Sequence, residues 1–368
     1  MDLKLRFCSN CQYAFLSPAP PADILSHFYA DQYGSYTSAL KNPGIGTAIQ
    51  EPAIHFVEQQ IRKKWGHRKV RIAEVGGNDG YTLHRLKHLA SDVTLIEPSQ
   101  QACEIAKSFG IQAYSEFLNE RLSQELSNRF DVVINRHVLE HVPLPQSFLN
   151  QLTELLCVEG LLIVETPDLE CVLRDLLVRV VSLQHLHYFT QSTLNILLPP
   201  PAKIIDSVII EKYALIAAVS KETNPPVFVF QKQDLDDVAI SFAARLDDRL
   251  NNLTLIVQKW VKSGKNIWIW GAGSAAGELF NVYGQDSRLF RGFIDSDPAK
   301  SKMRFPKLPN LAIYTPAQAF ELGVDAVLIA SFSVREIINA IALNKPNKDI
   351  EVADIYSCSY HHISRSAL

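Results

Sequence analysis

No stretch of this sequence stays apolar for the roughly 18 residues that a membrane-crossing helix requires. The richest run, Leu194 to Ile210, is broken by three prolines, Lys203 and Asp206. The opening residues, MDLKLRFCSN, hold no apolar signal core. Cysteine is scarce: six in 368 residues make no disulfide framework, which points to a reduced, cytoplasmic compartment. Glycine (16) and proline (19) are too few for a fibrous or disordered chain. Neither sign of charge dominates, with 36 Lys and Arg against 39 Asp and Glu, so no footprint for nucleic acid or an anionic membrane is expected. A small-molecule partner remains, for a monomer or homodimer.

What is present is core-forming material. Hydrophobic residues make up 47% of a length that fits two or three domains. Residues 1–50 read as a short irregular N-terminal arm. From Glu51 short apolar runs alternate with amphipathic stretches, the pattern of a parallel sheet with crossover helices. RIAEV (71–75), VTLIE (93–97), DVVIN (131–135) and LLIVET (161–166) read as buried strands. Residues 99–109 and 146–156 read as helices. KIIDSVIIEKY and PPVFVFQK suggest two further strands closing the sheet antiparallel. This first domain is expected to span 51–234. Apolar positions at helical spacing predict one connecting amphipathic helix over 235–263. A second alternating block, from NIWIWGAGS (266–274) through FRGFIDSDP, LAIYTPAQA and VDAVLIASFS, predicts a second domain over 264–368. The fold class is therefore α/β, with two Rossmann-like doubly wound domains.

The sequence EVGGNDGYTL (74–83) ends a strand and opens a helix. Glycines there allow close approach to a bound cofactor. Glu97 ends the next strand 17 residues after Gly80, placed to accept hydrogen bonds from ribose hydroxyls. The loop also carries Glu74 and Asp79, which suit a cationic sulfonium better than a diphosphate. S-adenosylmethionine is thereby favoured over NAD.

The stretches VGGNDG, LIEPSQQACEIAKSFGI (95–111), INRHVLEHVPLPQSFLNQLTELLCVEGLLIVETPDL (134–169) and QHLHYFTQSTLNILL (184–198) resemble the class I S-adenosylmethionine-dependent methyltransferases, specifically the sugar C-methyltransferases. FCSNCQYAFL resembles the second half of that family's zinc module. GAGSAAGELF with FIDSDP resembles its C-terminal Rossmann-like domain.

The resemblance implies C-methylation beside the ketone of a nucleotide-linked sugar, which needs a general base and oxyanion stabilisation. His185 stands at the family's base position, His141 is expected beside the methyl donor, and Tyr33 or Tyr36 is expected over the site as a phenol donor. The implied cofactor set is Glu74, Gly76, Gly77, Asn78, Asp79, Gly80, Glu97, Pro98, Phe117, Asn135 and His137. Gln184, Gly271, Gly273, Ser274 and Asp295 are the implied substrate-binding residues, the last four helping to hold the nucleotide. Departures are visible: Gln184 replaces the family's Glu before the base, Leu183 its His, and Ser182 its Tyr. A neutral Gln cannot raise the basicity of His185, so O- or N-methylation stays open. Only Cys8 and Cys11 remain of four zinc cysteines, too few for a tetrahedral site. The second loop, GAGSAAG with Asp295, also fits an NAD-linked oxidoreductase or epimerase. Against it, none of the 12 tyrosines has a Lys four residues later.

Overall fold

The computed structural model describes residues 4–21, 39–41, 50–222, 234–304, 308, 310–331, 333–344, 349–358 and 360–363. Within the expected irregular arm, β1 (Lys4–Cys8) and β2 (Tyr13–Ser17) form an antiparallel hairpin. Alternation places Ala14 and Leu16 inward, and β2 also pairs with β8 (His187–Tyr188). Cys8 ends β1 and Cys11 lies in the turn.

The chain divides into two units, residues 1–174 with 180–239, and 175–179 with 240–368. The first holds a seven-stranded sheet in the order β5-β4-β3-β6-β7-β10-β9. Its strands are β3 (Val70–Val75), β4 (Ala90–Ile96), β5 (Gln112–Tyr114), β6 (Phe130–Arg136), β7 (Leu156–Pro167), β9 (Lys203–Ile210) and β10 (Ala214–Ser220). β3 to β7 run parallel, and β10 is antiparallel to both β7 and β9. The hairpin that closes the sheet is thus KIIDSVII with ALIAAVS. PPVFVFQK, residues 225–232, lies outside the described residues. Crossovers include α1 (Tyr81–Leu86), α2 (Gln100–Ser108) and α3 (Pro145–Glu154). Their apolar faces cover a sheet whose β6 residues, from Phe130 to Asn135, are buried without exception.

The second unit has a six-stranded sheet, β13-β12-β11-β14-β15-β16. Its members are β11 (Ile267–Trp270), β12 (Phe293–Ile294), β13 (Ile313–Tyr314), β14 (Ala326–Ile329), β15 (Ile350–Asp354) and β16 (Tyr360–Ile363). Five are parallel and β16 is antiparallel. The helix expected over 235–263 is two, Asp236–Ile240 and Phe242–Lys262. The longer one is not a free connector: Leu253, Val257 and Trp260 are buried in one cluster with Ile267, Ile269 and Leu328. Among the described residues no helix is long and apolar enough to cross a membrane.

Candidate active site

The β3–α1 loop is shaped by contacts inside the protein. The Gly76 N–H donates to the Ile96 carbonyl at 2.8 Å, with φ at +74°. A Cβ there would lie 2.3 Å from Val138 Cγ2, so the side chain from the β6 end, rather than a ligand, dictates glycine. Asn78 follows at φ +50°, a backbone region that asparagine tolerates. Its N–H donates to Glu97 Oε2 at 3.0 Å, and Ser99 N–H donates to Glu97 Oε1 at 3.0 Å. Each oxygen of Glu97 keeps a lone pair for another donor. Burial lifts the Glu97 carboxyl above its ordinary range, with the two N–H groups opposing.

Above the C-terminal strand ends lies a cavity of about 460 Å³. Of the expected residues, Gly76, Asn78, Glu97, Pro98, Phe117, His137 and His141 line it, with apolar surface from Val142, Pro143, Leu144 and Phe148. Glu74, Gly77, Asp79, Gly80, Asn135, Gln184 and His185 are not among its lining residues.

The two loop carboxylates are turned elsewhere for physical reasons. Glu74 runs beneath the loop, so that a Cβ at Gly77 would meet its carboxyl at 2.5 Å. Burial raises Glu74 to about 7, with Arg136 pulling it down. Asp79 accepts from Tyr81 N–H at 3.2 Å and from Leu40 N–H at 2.9 Å, tying the start of α1 to an earlier segment. Asn135 donates to the Val75 carbonyl at 3.1 Å and braces β6 against β3. The sulfonium argument for these two acids therefore does not carry over to the geometry.

From the cavity wall, where Arg136 and His137 line it, a chain of paired charges runs inward, a pairing that sequence reasoning missed. Arg136, the last residue of β6, pairs with Glu165 of β7 and donates to Thr82 Oγ1 at 3.0 Å. Glu165 Oε1 is 3.0 Å from His137 Nε2, and His137 Nδ1 is 3.3 Å from Glu140 Oε1. Thr166 Oγ1 donates to Glu140 Oε2 at 3.2 Å. Burial opposes ionisation of Glu165, but Arg136 and His137 hold it at about 2. Glu140, fully buried, is likewise held at about 2 by His137 and His141. His137 is driven down by burial, yet Glu165 and Glu140 carry it well above its ordinary value. Signs thus alternate: Arg136 plus, Glu165 minus, His137 plus, Glu140 minus. The available signal was the pair of acids at 140 and 165 inside otherwise apolar segments.

His141 donates from Nδ1 to the Gln184 carbonyl at 2.8 Å, which makes Nε2 the unprotonated nitrogen of the neutral ring. The His185 ring lies edge-on to it, centroids 4.7 Å apart. His185 Nδ1 is buried without a hydrogen-bond partner, and burial draws this imidazole down to about 4, with Glu140 opposing. Donor atoms of Glu140, His141 and His185 all lie within 4.8 Å of one another. The Glu140 carboxylate in this group also accepts from Thr166 Oγ1 and lies 3.3 Å from His137 Nδ1. Cys8 and Cys11 join no metal-holding cluster among the described residues. Tyr33 and Tyr36 lie outside the described residues.

In the second unit, Gly271 has φ +112° and a Cβ there would meet the Ala330 carbonyl at 2.5 Å, so its glycine is again internally required. Gly273 precedes the helix Ser274–Asn281 and a Cβ there would meet nothing within 4 Å. Asp295 accepts from Ala272 N–H at 2.9 Å and Asp297 N–H at 3.0 Å, and pairs with Lys300 at 2.9 Å.

A doubly wound sheet with a glycine turn after its first strand, and a buried acid after the second above a cavity, defines a nucleoside-binding α/β domain. Residues 39–198 match the family described as a methyltransferase domain. The C-methyltransferase NovU of Streptomyces niveus is 22% identical over 281 residues, 71% of this chain and 66% of the relative. The mitochondrial ubiquinone biosynthesis O-methyltransferase of Schizosaccharomyces pombe is 28% identical over 138 residues, 35% of this chain and 48% of the relative. The chain therefore spans less than two thirds of the length of these curated relatives. Among solved structures, the 1,6-didemethyltoxoflavin-N1-methyltransferase of Burkholderia thailandensis aligns over 60% of this chain and 99% of its own. Its identity is 17% and its TM-score 0.42. Residues 39–198 of the first domain are thus similar to a methyltransferase domain, and S-adenosylmethionine is the cofactor that this similarity supports. The residues fit that group: Glu97 has lone pairs for ribose hydroxyls, and Phe117 and Leu118 offer apolar surface for a base.

Proposed function

We propose that this protein methylates a small molecule at an atom that first gives up a proton, and that the acceptor is a nucleotide-linked keto-deoxysugar methylated at carbon. S-adenosylmethionine, held by Gly76, Asn78 and Glu97, supplies an electrophilic methyl group on a sulfonium. The observation that carries the reading is His141 on the cavity wall, its ring held by the hydrogen bond from Nδ1 to the Gln184 carbonyl and with His185 packed behind it. His141 Nε2 takes the proton from the acceptor. The electron pair left on the acceptor forms the new bond to the methyl carbon, while the pair of the broken S–CH3 bond stays on sulfur. His185, set one ring back, packs edge-to-face with His141 and fixes that ring. Positioning and a base of near-neutral class are the contributions such a site requires. The 22% relative, a C-methyltransferase, supports transfer to carbon. A second reading, O-methylation, is favoured by the 28% relative and by Gln184, a neutral side chain beside His185 where a stronger carbon base would want a carboxylate.

The test is product formation. The purified protein is incubated with methyl-labelled S-adenosylmethionine and a panel of nucleoside diphosphate keto-deoxysugars, hydroxylated sugars and catechols. Label fixed on carbon of a keto sugar upholds the leading reading. Label on oxygen selects the second, and no transfer to any small acceptor removes both.

A further inference from the structure

The chain of paired charges meets the cavity through its cations only. Arg136 and His137 line the cavity, whereas Glu165 and Glu140 do not. Side-chain exposure follows the same division, 10% and 34% for the two cations against 3% and 0% for the two carboxylates. The acids are spent inward. Glu165 pairs with Arg136 and lies against His137, while Glu140 lies against His137 and accepts from Thr166 Oγ1.

The two cations offer the cavity different things. A guanidinium has five N–H donors. Arg136 Nε goes to Glu165 and Nη1 donates to Thr82 Oγ1, so Nη2, with its two N–H groups, has no acceptor among the described residues. Glu74, the other acid that acts on this guanidinium, does so by charge, and its Oε2 is buried without a hydrogen-bond partner. His137 has both ring nitrogens against carboxylates, Nε2 at 3.0 Å from Glu165 Oε1 and Nδ1 at 3.3 Å from Glu140 Oε1, and its ring stacks on Tyr213. Held between two acids it stays an imidazolium, and it brings charge to the cavity without serving as a base.

We propose that Arg136 and His137 form the anion-stabilising wall of the acceptor site: Arg136 Nη2 donates to the oxygen on which the acceptor's negative charge gathers, and His137 sets a fixed positive charge beside it. The acceptor class follows. It is a compound whose proton leaves from an oxygen, or from a carbon conjugated to one, so that it reacts as a phenolate or an enolate. The inference rests on the methyl-transfer reading, in which the acceptor gives up a proton. Charge appears on the acceptor when that proton leaves and is spent when the electron pair bonds to the methyl carbon. Both cations therefore favour the reacting state over the bound ketone or hydroxyl. A neutral amine becomes positive as it is methylated, and the same wall opposes it.

The other anion that enters such a cavity is the carboxylate on the cofactor's amino-acid tail, and the experiment separates the two. Arg136→Lys keeps a charge to answer Glu165 but replaces the forked guanidinium with one ammonium. Its melting temperature should stay within a few degrees of wild type, and calorimetry should give S-adenosylhomocysteine affinity within threefold. With any acceptor that the wild type methylates, kcat should fall at least thirtyfold and KM change less than threefold, the mark of an interaction made in the transition state. His137→Gln, whose amide still donates but carries no charge, should lose at least tenfold in kcat with the same split; it carries the test alone should Arg136→Lys not fold. Wild-type kcat in a folded Arg136→Lys overturns the proposal, as does transfer of label by the wild type to a primary or secondary amine. So does a loss of tenfold or more in S-adenosylhomocysteine affinity in Arg136→Lys with unchanged affinity for 5′-methylthioadenosine, which has no carboxylate: the wall would then belong to the cofactor. The methyl-transfer reading fails separately, when the wild type itself transfers label to no acceptor, and the proposal falls with it.

Discussion

Glu97 and Asp295 hold their carboxylates in the same way, each after the second strand of its own sheet. Glu97 accepts from Asn78 N–H in the glycine loop and from Ser99 N–H two residues on. Asp295 accepts from Ala272 N–H and from Asp297 N–H in the matching positions. The difference is Lys300, 2.9 Å from Asp295, where Glu97 faces a cavity. A lysine ammonium on the acid occupies the side that a ribose would use.

Binding should follow that difference. Calorimetry of the purified protein should show one-to-one binding of S-adenosylhomocysteine, weakened at least a hundredfold by Glu97→Ala and changed less than twofold by Asp295→Ala. NAD should give no saturable heat. Clear NAD binding lost in Asp295→Ala would move the nucleoside site to the second unit.

Removing the imidazoles separates chemistry from cofactor binding. His141→Ala should lower kcat by 10²–10⁴, the usual worth of a general base, and leave S-adenosylhomocysteine affinity within a few-fold. His185→Ala should lower kcat less, because it disturbs the ring of His141 without lining the cavity. Equal kcat in His185→Ala and wild type would strip that residue of any part in the mechanism.

Gly76→Ala should destabilise twice over. The left-handed backbone costs about 1–2 kcal/mol, and crowding Val138 Cγ2 adds about 1–3 kcal/mol. The combination Gly76→Ala with Val138→Ala should recover the crowding part alone. Urea denaturation of the three variants measures this, and full recovery would show that the backbone angle carries no cost.

The buried charge line should give stability a narrow pH optimum. Glu140 and Glu165 sit at about 2 in the folded protein, below the unfolded value of about 4.3. Their contribution is present above that unfolded value and is lost as pH falls toward 2. His137 lies well above its ordinary value, so its contribution is full below about 6.5 and fades as pH rises through the folded value. Glu74, raised to about 7, adds a penalty that grows as pH rises toward 7. Thermal unfolding should therefore peak near pH 5 to 6. Glu165→Ala, which leaves Arg136 and His137 unanswered, should cost about 3–5 kcal/mol.

Much of this architecture was legible because apolar runs of strand length are hard to misplace. DVVIN and LLIVET became β6 and β7, and the acid that closes VTLIE became the carboxylate at the cavity. The antiparallel hairpin was half read: ALIAAVS is alanine-rich and carries little strand propensity, while PPVFVFQK looks like a strand by composition. Glu74 and Asp79 were assigned to the ligand because spacing gives position along the chain and not side-chain direction. The pairing of Arg136 with Glu165 spans 29 residues and exists only once β6 lies beside β7. No local pattern encodes it.

Because Glu74 and Asp79 are turned away, Glu97 is the one carboxylate among the described residues that line the cavity. With Arg136 and His137 on the same wall, the cavity carries no excess negative charge that would favour the positively charged sulfonium over the neutral thioether left after transfer. Spent cofactor should compete with fresh cofactor almost on equal terms. Turnover in a closed vessel will slow as its own by-product accumulates, and a hydrolase that destroys S-adenosylhomocysteine should restore the initial rate.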